Sequence, residues 1–479
     1  MNYPLIWRTV GKVLLIEAGL MLLPVLAALL CGESPLPFLI PLAAAALIGF
    51  GMSRFQSRRS VFTAREGFLI VGISWVLVSL LGAVPFVLTG DIPNYLNALF
   101  EIVSGLTTTG ATILSDVELL SRAGQFWRLF SHWIGGMGIL VFIMAVLPLA
   151  GDRSMHIMRA EVPGPVVGKL VPKARQTARI LYIIYFVMTL IETALLWAGG
   201  MSFFDALLHA FATAGTGGFS TRALSLGAYH SAYLEIVTAT FMLLFGVNLS
   251  LYYLILVGSW REAVRNEELR WYVLIVLAAV GLIGVNLRGV YGGFAHALRP
   301  AYFQVASIIT TTGFSTADFT QWPAFSQTVL VLLMFVGGCA GSTAGSLKVS
   351  RVAILCKDAL TELRRMLRPR SVVHVRLEGK TIQPGTLRAV QGFFFLYMLL
   401  LLLGTLLVSL DGFDFTTSFT GTLACLSNVG PGLALVGPMG SFGIFSPLSK
   451  IVLILEMLLG RLEIYPILLL FHPAAWSAK

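Results

Sequence analysis

The sequence has 479 residues, of which 57% are hydrophobic and only 12% are charged, whereas soluble domains carry about 25% charged residues. This composition excludes an ordinary globular core and indicates a polytopic membrane protein. The net charge of +10 does not indicate nucleic-acid binding, because the lysines and arginines fall between apolar runs, where they orient a membrane protein. The four cysteines are scattered without a CxxC pair, which favours buried apolar residues over a redox or metal site.

Ten apolar segments are candidates for crossing a bilayer. They cover residues 10–31, 36–51, 67–88, 126–149, 180–198, 233–260, 271–287, 325–350, 390–410 and 446–470. The first of them is too long for the apolar region of a signal peptide and has no clear cleavage signature, so we expect it to stay in the protein as a helix.

A phrase rich in threonine and glycine recurs four times between these segments. Residues 107–112 read TTTGAT, residues 215–221 read GTGGFST, residues 310–316 read TTTGFST and residues 427–432 read SNVGPG. Each phrase follows an apolar run too short to cross a bilayer, with small residues at matched positions before the glycine. The glycines are 108, 95 and 117 residues apart, so the chain repeats one unit about every hundred residues.

This repeat predicts an all-α polytopic membrane protein with fourfold pseudo-symmetry. Two N-terminal transmembrane helices precede four units of helix, re-entrant pore loop and helix, which gives about ten spans. We divide the chain into a hairpin with a basic loop and four pore repeats: 1–66, 67–150, 151–260, 261–356 and 357–479.

The charge distribution supports this layout. The loops 51–66, 151–179, 261–270 and 348–388 hold 23 lysines and arginines, whereas the loops that carry the repeated phrase hold four. The positive-inside rule therefore places the phrases outside and both termini in the cytoplasm. Several carboxylates on the outer side could concentrate cations or be ordinary loop residues: Asp91, Glu101, Asp116, Glu118, Asp318, Asp411 and Asp414.

The repeated phrase suits a cation filter. A cation that enters a bilayer must replace its lost water shell, and rings of backbone carbonyls can do so. Glycine supplies the backbone conformations that aim successive carbonyls at one axis, and the short helix before each phrase points the negative end of its dipole at the ion. Extracellular turns also use glycine and threonine, but that alternative explains one copy well and four copies poorly.

The four-filter plan resembles the Trk/Ktr/HKT superfamily of potassium transporters, and the two leading helices make it similar to TrkH-type subunits. The resemblance covers residues 67–470 and the leading hairpin. It implies that filter carbonyls coordinate potassium at Thr108, Thr109, Gly110, Thr216, Gly217, Gly218, Thr311, Thr312, Gly313, Asn428, Val429 and Gly430. Some plant members that favour sodium carry serine at the first glycine position, so Gly110 favours potassium. The first and fourth phrases depart from the Gly-Phe-Ser-Thr of the other two.

A second feature interrupts the apolar segment 325–350. Residues 337–346 read GGCAGSTAGS, and the spacing of their glycines could form a double GxxxG packing face. Adjacent glycines with serine and threonine make a poor helix interior, however. The resemblance implies instead that residues 337–346 are a gate loop beneath the filter, which includes Gly337, Gly338, Gly341, Ser342, Thr343 and Gly345.

A third feature is Arg461, within the apolar segment 446–470. An arginine inside a membrane is costly and is a candidate functional residue. A structural ion pair with Glu456 or Glu463 is the alternative. The resemblance implies that Arg461 faces the gate loop as a positive barrier to cations.

No Walker A loop or dinucleotide fingerprint is present, so we expect no nucleotide or organic cofactor on this chain. Glu192 and Glu235 could carry protons or pack helices. The resemblance implies a homodimer on a cytosolic ring of nucleotide-binding Trk regulatory subunits, with loops 151–179 and 351–388 as contact surfaces. Orientation and anionic-lipid contact would explain the same basic loops without a partner.

The sequence therefore predicts a potassium uptake subunit of the cytoplasmic membrane and not an enzyme, since no nucleophile–base or metal cluster is recognisable. A sodium-selective or weakly selective relative is one alternative. A secondary carrier with broken helices is another, although such carriers have inverted repeats, whereas each repeat here starts inside. Coupling to protons or sodium, as in a symporter, is left open.

Overall fold

The computed structural model describes residues 1–56, 63–150, 174–368 and 374–477. In these ranges the chain is helical apart from loops, short 3-10 turns and one two-stranded hairpin. The helices of the first half are α1 Tyr3–Leu20, α2 Leu22–Leu30, α3 Leu36–Ser53, α4 Ala64–Thr89, α5 Tyr95–Leu106, α6 Arg122–Ala150, α7 Ala174–Ala198, α8 Phe203–Gly215, α9 Ala232–Phe245, α10 Leu249–Leu256 and α11 Trp260–Arg265. Parts of three predicted basic loops, at 57–62, 151–173 and 369–373, lie outside the described residues.

The second half continues in the same way. Its elements are α12 Glu267–Asn286, α13 Phe294–Ile309, α14 Ala324–Val336, α15 Val349–Leu367, β1 Arg376–Leu377, β2 Lys380–Thr381, α16 Pro384–Val408, α17 Phe415–Leu426, α18 Pro447–Arg461 and α19 Tyr465–Phe471. The strands β1 and β2 pair antiparallel on the segment between α15 and α16.

The N-terminal hairpin packs α1 closely against α3. A Cβ atom on Gly11 would lie 2.7 Å from the carbonyl oxygen of Gly49, and one on Gly49 would lie 2.8 Å from that of Gly11. Glycine at both positions therefore lets the two backbones approach each other directly.

Four short helices, α5, α8, α13 and α17, have 12 to 16 residues and are too short to cross a bilayer. The side chains of Asn94, Ser202 and Asp414 cap three of them by accepting backbone N–H bonds, which satisfies part of the open first turn. Their side chains are mostly buried, and Phe100 and Ile308 belong to the largest apolar cluster. The four short helices thus lie inside the protein.

Longer helices surround them. Among the described residues, six helices are long and apolar enough to cross a membrane, and a bent pair would make a seventh. These helices expose large apolar side chains, such as Leu274 at 60% and Leu277 at 65% on α12. Such exposure fits a surface solvated by lipid.

Three helices that follow the repeated phrases end after similar lengths. The helices α9, α14 and α18 have 14, 13 and 15 residues, and non-helical segments at 246–248, 337–348 and 462–464 separate them from α10, α15 and α19. The first pair is bent by 91°. The interruption of 325–350 was expected from its glycines, whereas the breaks within 233–260 and 446–470 were not expected.

Candidate ion-conducting site

The four repeated phrases share one backbone conformation. We name them filter strands 1 to 4, residues 108–112, 216–220, 311–315 and 428–432. In each strand the glycine has a positive φ, and so does the residue two places before it. The φ values are 55° and 82° at Thr108 and Gly110, 56° and 73° at Thr216 and Gly218, 56° and 84° at Thr311 and Gly313, and 55° and 96° at Asn428 and Gly430.

Each filter strand is attached to the end of its own short helix. The N–H group of the residue before the glycine donates a hydrogen bond of 2.8 Å to the carbonyl of the residue six places before the glycine. These bonds join Thr109 to Ser104, Gly217 to Ala212, Thr312 to Ser307 and Val429 to Ala424. These bonds are those of a Schellman motif at a helix C-terminus, in which one residue takes the left-handed conformation. Here it is the residue two places before the glycine. A β-branched threonine in that conformation is strained, so the helix end and its surroundings hold it there.

The four filter strands face one another around a closed ring. A Cβ atom placed on each glycine would overlap or closely approach the carbonyl oxygen of the residue before the glycine in the next strand. The facing pairs are Gly110 with Gly217, Gly218 with Thr312, Gly313 with Val429, and Gly430 with Thr109. Larger residues therefore do not fit at these positions without moving a carbonyl. The predicted filter residues are thus brought together in the structure.

Hydroxyl and amide groups brace the strands. The hydroxyl of Thr107 lies 2.7 Å from that of Thr109, and the equivalent pair Thr310 and Thr312 is 2.8 Å apart. The Asn428 amide donates to the Thr109 hydroxyl at 2.9 Å, which ties strand 4 to strand 1.

The carboxylates that the sequence places on the outer side mostly hold the structure together. Those that cap or anchor backbone N–H groups include Asp91, Glu118, Asp318, Asp411 and Asp414. The hydroxyl and the N–H of Thr417 hydrogen-bond to Asp414 and lower the pKa of its carboxyl group. Glu118 also pairs with Arg222 at 3.3 Å. Glu101 is buried, so most of these carboxylates make structural contacts instead of being free.

The gate loop is not helical, and its glycines therefore form no GxxxG packing face. The N–H of Gly345 donates 2.7 Å to the hydroxyl of Thr311 in filter strand 3. On the other side, the N–H of Cys339 donates 2.9 Å to the carbonyl of Gly246, and the N–H of Ala340 donates 2.7 Å to Glu268. The loop thus lies between filter strand 3 and the break after α9.

Arg461 is the last residue of α18 and is buried. Its guanidinium donates to the carbonyl of Thr343 at 2.7 Å and to that of Gly135 at 2.6 Å. The alternative of an ion pair with Glu456 or Glu463 is wrong, because Glu463 pairs with Arg351 at 2.9 Å and Glu456 forms no ion pair within the described ranges. Arg461 therefore contacts the gate loop directly.

The contacts of other charged residues near the site were not predicted from the sequence. Glu101 and Arg128 form a buried ion pair of 2.6 Å, and Lys348 donates to the carbonyl of Ala344 in the gate loop. Arginine within the apolar segment 126–149 was the signal available for the first pair. Of the two proposed proton carriers, Glu235 pairs with Arg299 at 3.2 Å, whereas Glu192 is fully buried on α7.

Comparisons with known proteins agree with this geometry. The chain matches the TrkH family, described as a cation transport protein, over residues 43–478. It is 37% identical to the Trk system potassium uptake protein TrkH of Salmonella typhimurium and 36% identical to that of Escherichia coli, over 99% of this chain and 100% of each relative. The crystal structure of the potassium transporter TrkH from Vibrio parahaemolyticus superposes with a TM-score of 0.88 at 34% identity and covers both chains fully. The chain belongs to the TrkH family of cation transport proteins.

Proposed function

We propose that this protein takes up potassium across the cytoplasmic membrane through a channel-like pore. The observation that carries the proposal is the ring in which four glycines face the carbonyls of Thr109, Gly217, Thr312 and Val429. The relatives named as Trk system potassium uptake proteins support potassium as the transported ion.

The ring supplies oxygen atoms where an ion would lose its water. An unsolvated ion in an apolar medium costs tens of kcal/mol, and carbonyl oxygens aimed at one axis offset that cost. Each short helix ends immediately before its filter strand, so four negative dipole ends favour a cation there. Asn428 takes the place that threonine has in the other strands and tolerates the left-handed conformation better.

The gate loop closes the inner side of the pore in this proposal. It contacts Thr311 and, at Gly345, packs against Ser427 and Asn428 of the fourth strand. Non-helical backbone at this depth is stable only when protein encloses it or it lines a wet cavity. Displacement of the loop from the pore axis would open the path for the ion.

Arg461 adds an electrostatic barrier. Its charge lies within hydrogen-bond distance of the Thr343 carbonyl, in a region where low polarity strengthens charge repulsion. A potassium ion below the filter would meet this charge before it reached the cytoplasm. Movement of the gate loop would remove one of the two carbonyls that fix the guanidinium.

The orientation and the partners follow from the same family assignment. We propose that both termini face the cytoplasm, that two chains form a homodimer, and that a cytosolic ring of nucleotide-binding regulatory subunits controls the gate. The name Trk system, which the relatives carry, supports further components. A sodium-selective or weakly selective transporter and a secondary carrier are the competing functions that the experiment below separates.

Rubidium-tracer uptake into liposomes that hold the purified chain tests the proposal, with potassium and sodium as competitors. The expected result is competition by potassium and little by sodium. Equal competition by both ions would contradict potassium selectivity. Absence of flux, even after a Trk regulatory ring and nucleotide are added, would contradict the pore and favour the carrier.

A further inference from the structure

The first filter strand lacks an anchor that its neighbours have. The residue after the glycine is Phe219 in strand 2 and Phe314 in strand 3, and both rings are buried. In strand 1 this residue is Ala111. Since an aromatic ring buries a large apolar area, strand 1 loses a contact that fixes the outer ends of the other two.

A buried carboxylate takes over this function in strand 1. Glu101 lies on α5, nine residues before Gly110, and is fully buried. Its carboxylate accepts hydrogen bonds from the Thr112 hydroxyl at 2.9 Å and from the N–H of Ile113 at 3.0 Å. These bonds hold the two residues that follow Ala111.

The partner of this carboxylate reaches the second strand. Arg128 pairs with Glu101 at 2.6 Å and donates to the carbonyl of Ser220 at 3.2 Å. Its guanidinium also lies over the Phe219 ring, 3.4 Å from the centroid, which adds a cation–π contact. One ion pair therefore joins the outer ends of strands 1 and 2.

The third repeat gives an internal comparison. Gln304 occupies the position of Glu101 on α13, nine residues before Gly313. It is fully buried, and its amide has no hydrogen-bond partner among the residues that the structure describes. There the Ser307 hydroxyl donates 2.6 Å to the carbonyl of Phe314. Strand 3 is thus held by its aromatic residue and its own helix.

We propose that the Glu101–Arg128 ion pair is a positioning element that sets potassium-over-sodium selectivity by fixing filter strands 1 and 2. The inference rests on the proposed potassium pore. The pair has no net charge, so it acts on the geometry of the carbonyls at Thr109 and Gly217 more than on the local ion concentration. Looser strands adapt to the smaller sodium ion, and selectivity falls.

Thr112 allows the mildest test, because its substitution leaves the ion pair intact. Thr112→Val removes the hydroxyl that donates to Glu101 and keeps the side-chain volume, whereas Thr112→Ser keeps the hydroxyl. We expect Thr112→Val to lower the ratio of potassium to sodium competition for rubidium uptake by about tenfold, which is equivalent to about 1.4 kcal/mol. Thr112→Ser keeps the donor and should lower the ratio by less than Thr112→Val. Gln304→Met is the matched control on α13 and should retain the ratio.

Arg128→Lys is the stronger variant. Lysine cannot contact Glu101 and the Ser220 carbonyl with one planar group. The ratio of potassium to sodium competition should therefore fall further than in Thr112→Val. Maximal uptake per folded protein is measured separately, because a general loss of structure lowers uptake without changing the ratio. If Arg128→Lys does not fold, the two Thr112 variants still decide the result.

A second readout needs no open gate. Thermal unfolding of the purified chain is measured in potassium chloride and in sodium chloride at equal ionic strength, since an ion that binds the folded state raises the Tm. The parent should be more stable in potassium, and Thr112→Val should lose most of that difference. A parent without any difference would contradict the proposed pore. If the parent is more stable in potassium and the Thr112→Val variant keeps both this difference and the uptake ratio, the positioning role of the ion pair is overturned. The proposed pore then still stands.

Discussion

The filter strands and the gate loop are both non-helical backbone, but their hydrogen bonds run to different places. Each filter strand bonds to the short helix immediately before it in sequence, through contacts such as Thr312 N–H to the Ser307 carbonyl. The gate loop also contacts the helix before it, where the Ser346 hydroxyl donates to the carbonyls of Met334 and Phe335. In addition it bonds to distant residues, namely Gly246, Glu268, Thr311 and Arg461.

We propose that this difference separates a fixed element, the filter strands, from a movable one, the gate loop. A filter strand that shifts must break the bonds to the end of its own helix. The gate loop can exchange its distant partners when the helices that carry them move, because those bonds lie between elements. On this proposal the filter strands hold one geometry and the gate loop adopts two.

The largest expected effect comes from breaking the fixed element. In Gly313→Ser the added side chain would overlap the Val429 carbonyl, and the serine would have to adopt the backbone φ of 84° that Gly313 has. We expect potassium-over-sodium preference to fall about 100-fold, or about 2.7 kcal/mol, in the rubidium competition assay. Gly281→Ser is the control, since Gly281 on α12 has no neighbour within 4 Å of its added Cβ. Equal selectivity in Gly313→Ser and the parent would remove the filter assignment.

The next largest effect concerns the proposed electrostatic barrier at Arg461, which contacts the gate loop. Arg461→Ala removes the buried charge and both hydrogen bonds to Thr343 and Gly135. We expect basal rubidium flux, without any activating nucleotide, to rise about tenfold, while potassium selectivity is retained because the filter is intact. Arg461→Lys keeps the positive charge but loses the planar guanidinium that reaches two carbonyls at once, so it should give an intermediate flux. Unchanged basal flux at a normal protein level would refute the barrier.

A smaller effect is expected at the anchor of the gate loop. Glu268 accepts hydrogen bonds from the N–H groups of Ala340 at 2.7 Å and Ser350 at 3.0 Å, one on each side of the loop's centre. Glu268→Ala leaves both donors unpaired, and an unpaired buried group costs about 1–3 kcal/mol. Basal flux should rise about fivefold. Glu268→Gln retains an acceptor oxygen and should change flux less; equal increases in both variants would argue against this anchor.

The smallest effect is expected for the partly buried pair Arg351–Glu463, which links α15 to the break after Arg461. Arg351→Gln and Glu463→Gln should each raise basal flux about twofold, which is equivalent to about 0.4 kcal/mol. The double variant should add little to either single one, because both remove the same contact. Fully additive effects would show that the two residues act independently.

The sequence predicts the four repeated strands and the short helices before them because their determinants are local. The glycine of each phrase, the small residues before it and the short apolar run lie within about fifteen residues, and the structure bonds them to one another. The gate interruption is also visible, since Gly337 and Gly338 break an apolar segment.

Contacts between distant segments could not be predicted in the same way. The breaks at 246–248 and 462–464 carry only weak signals, a single glycine at Gly246 and a proline at Pro466, two residues after the second break. Ile464 also takes a φ of 69° that its residue type disfavours. The ion-pair alternative for Arg461 was wrong because it rested on the proximity of Glu456 and Glu463 in sequence, whereas Arg461 contacts Thr343 in the gate loop. The Thr343 and Gly135 carbonyls come from two other repeats and are visible only in the folded chain.

The central claim, that four carbonyls form a potassium site, is tested most directly by locating the ion. Anomalous X-ray diffraction from crystals of this protein grown in rubidium would show whether density lies on the axis of the ring. The expected result is density in direct contact with the carbonyls of Thr109, Gly217, Thr312 and Val429, which added potassium displaces and sodium does not. A ring without density, with rubidium bound elsewhere between the helices, would contradict the proposed pore.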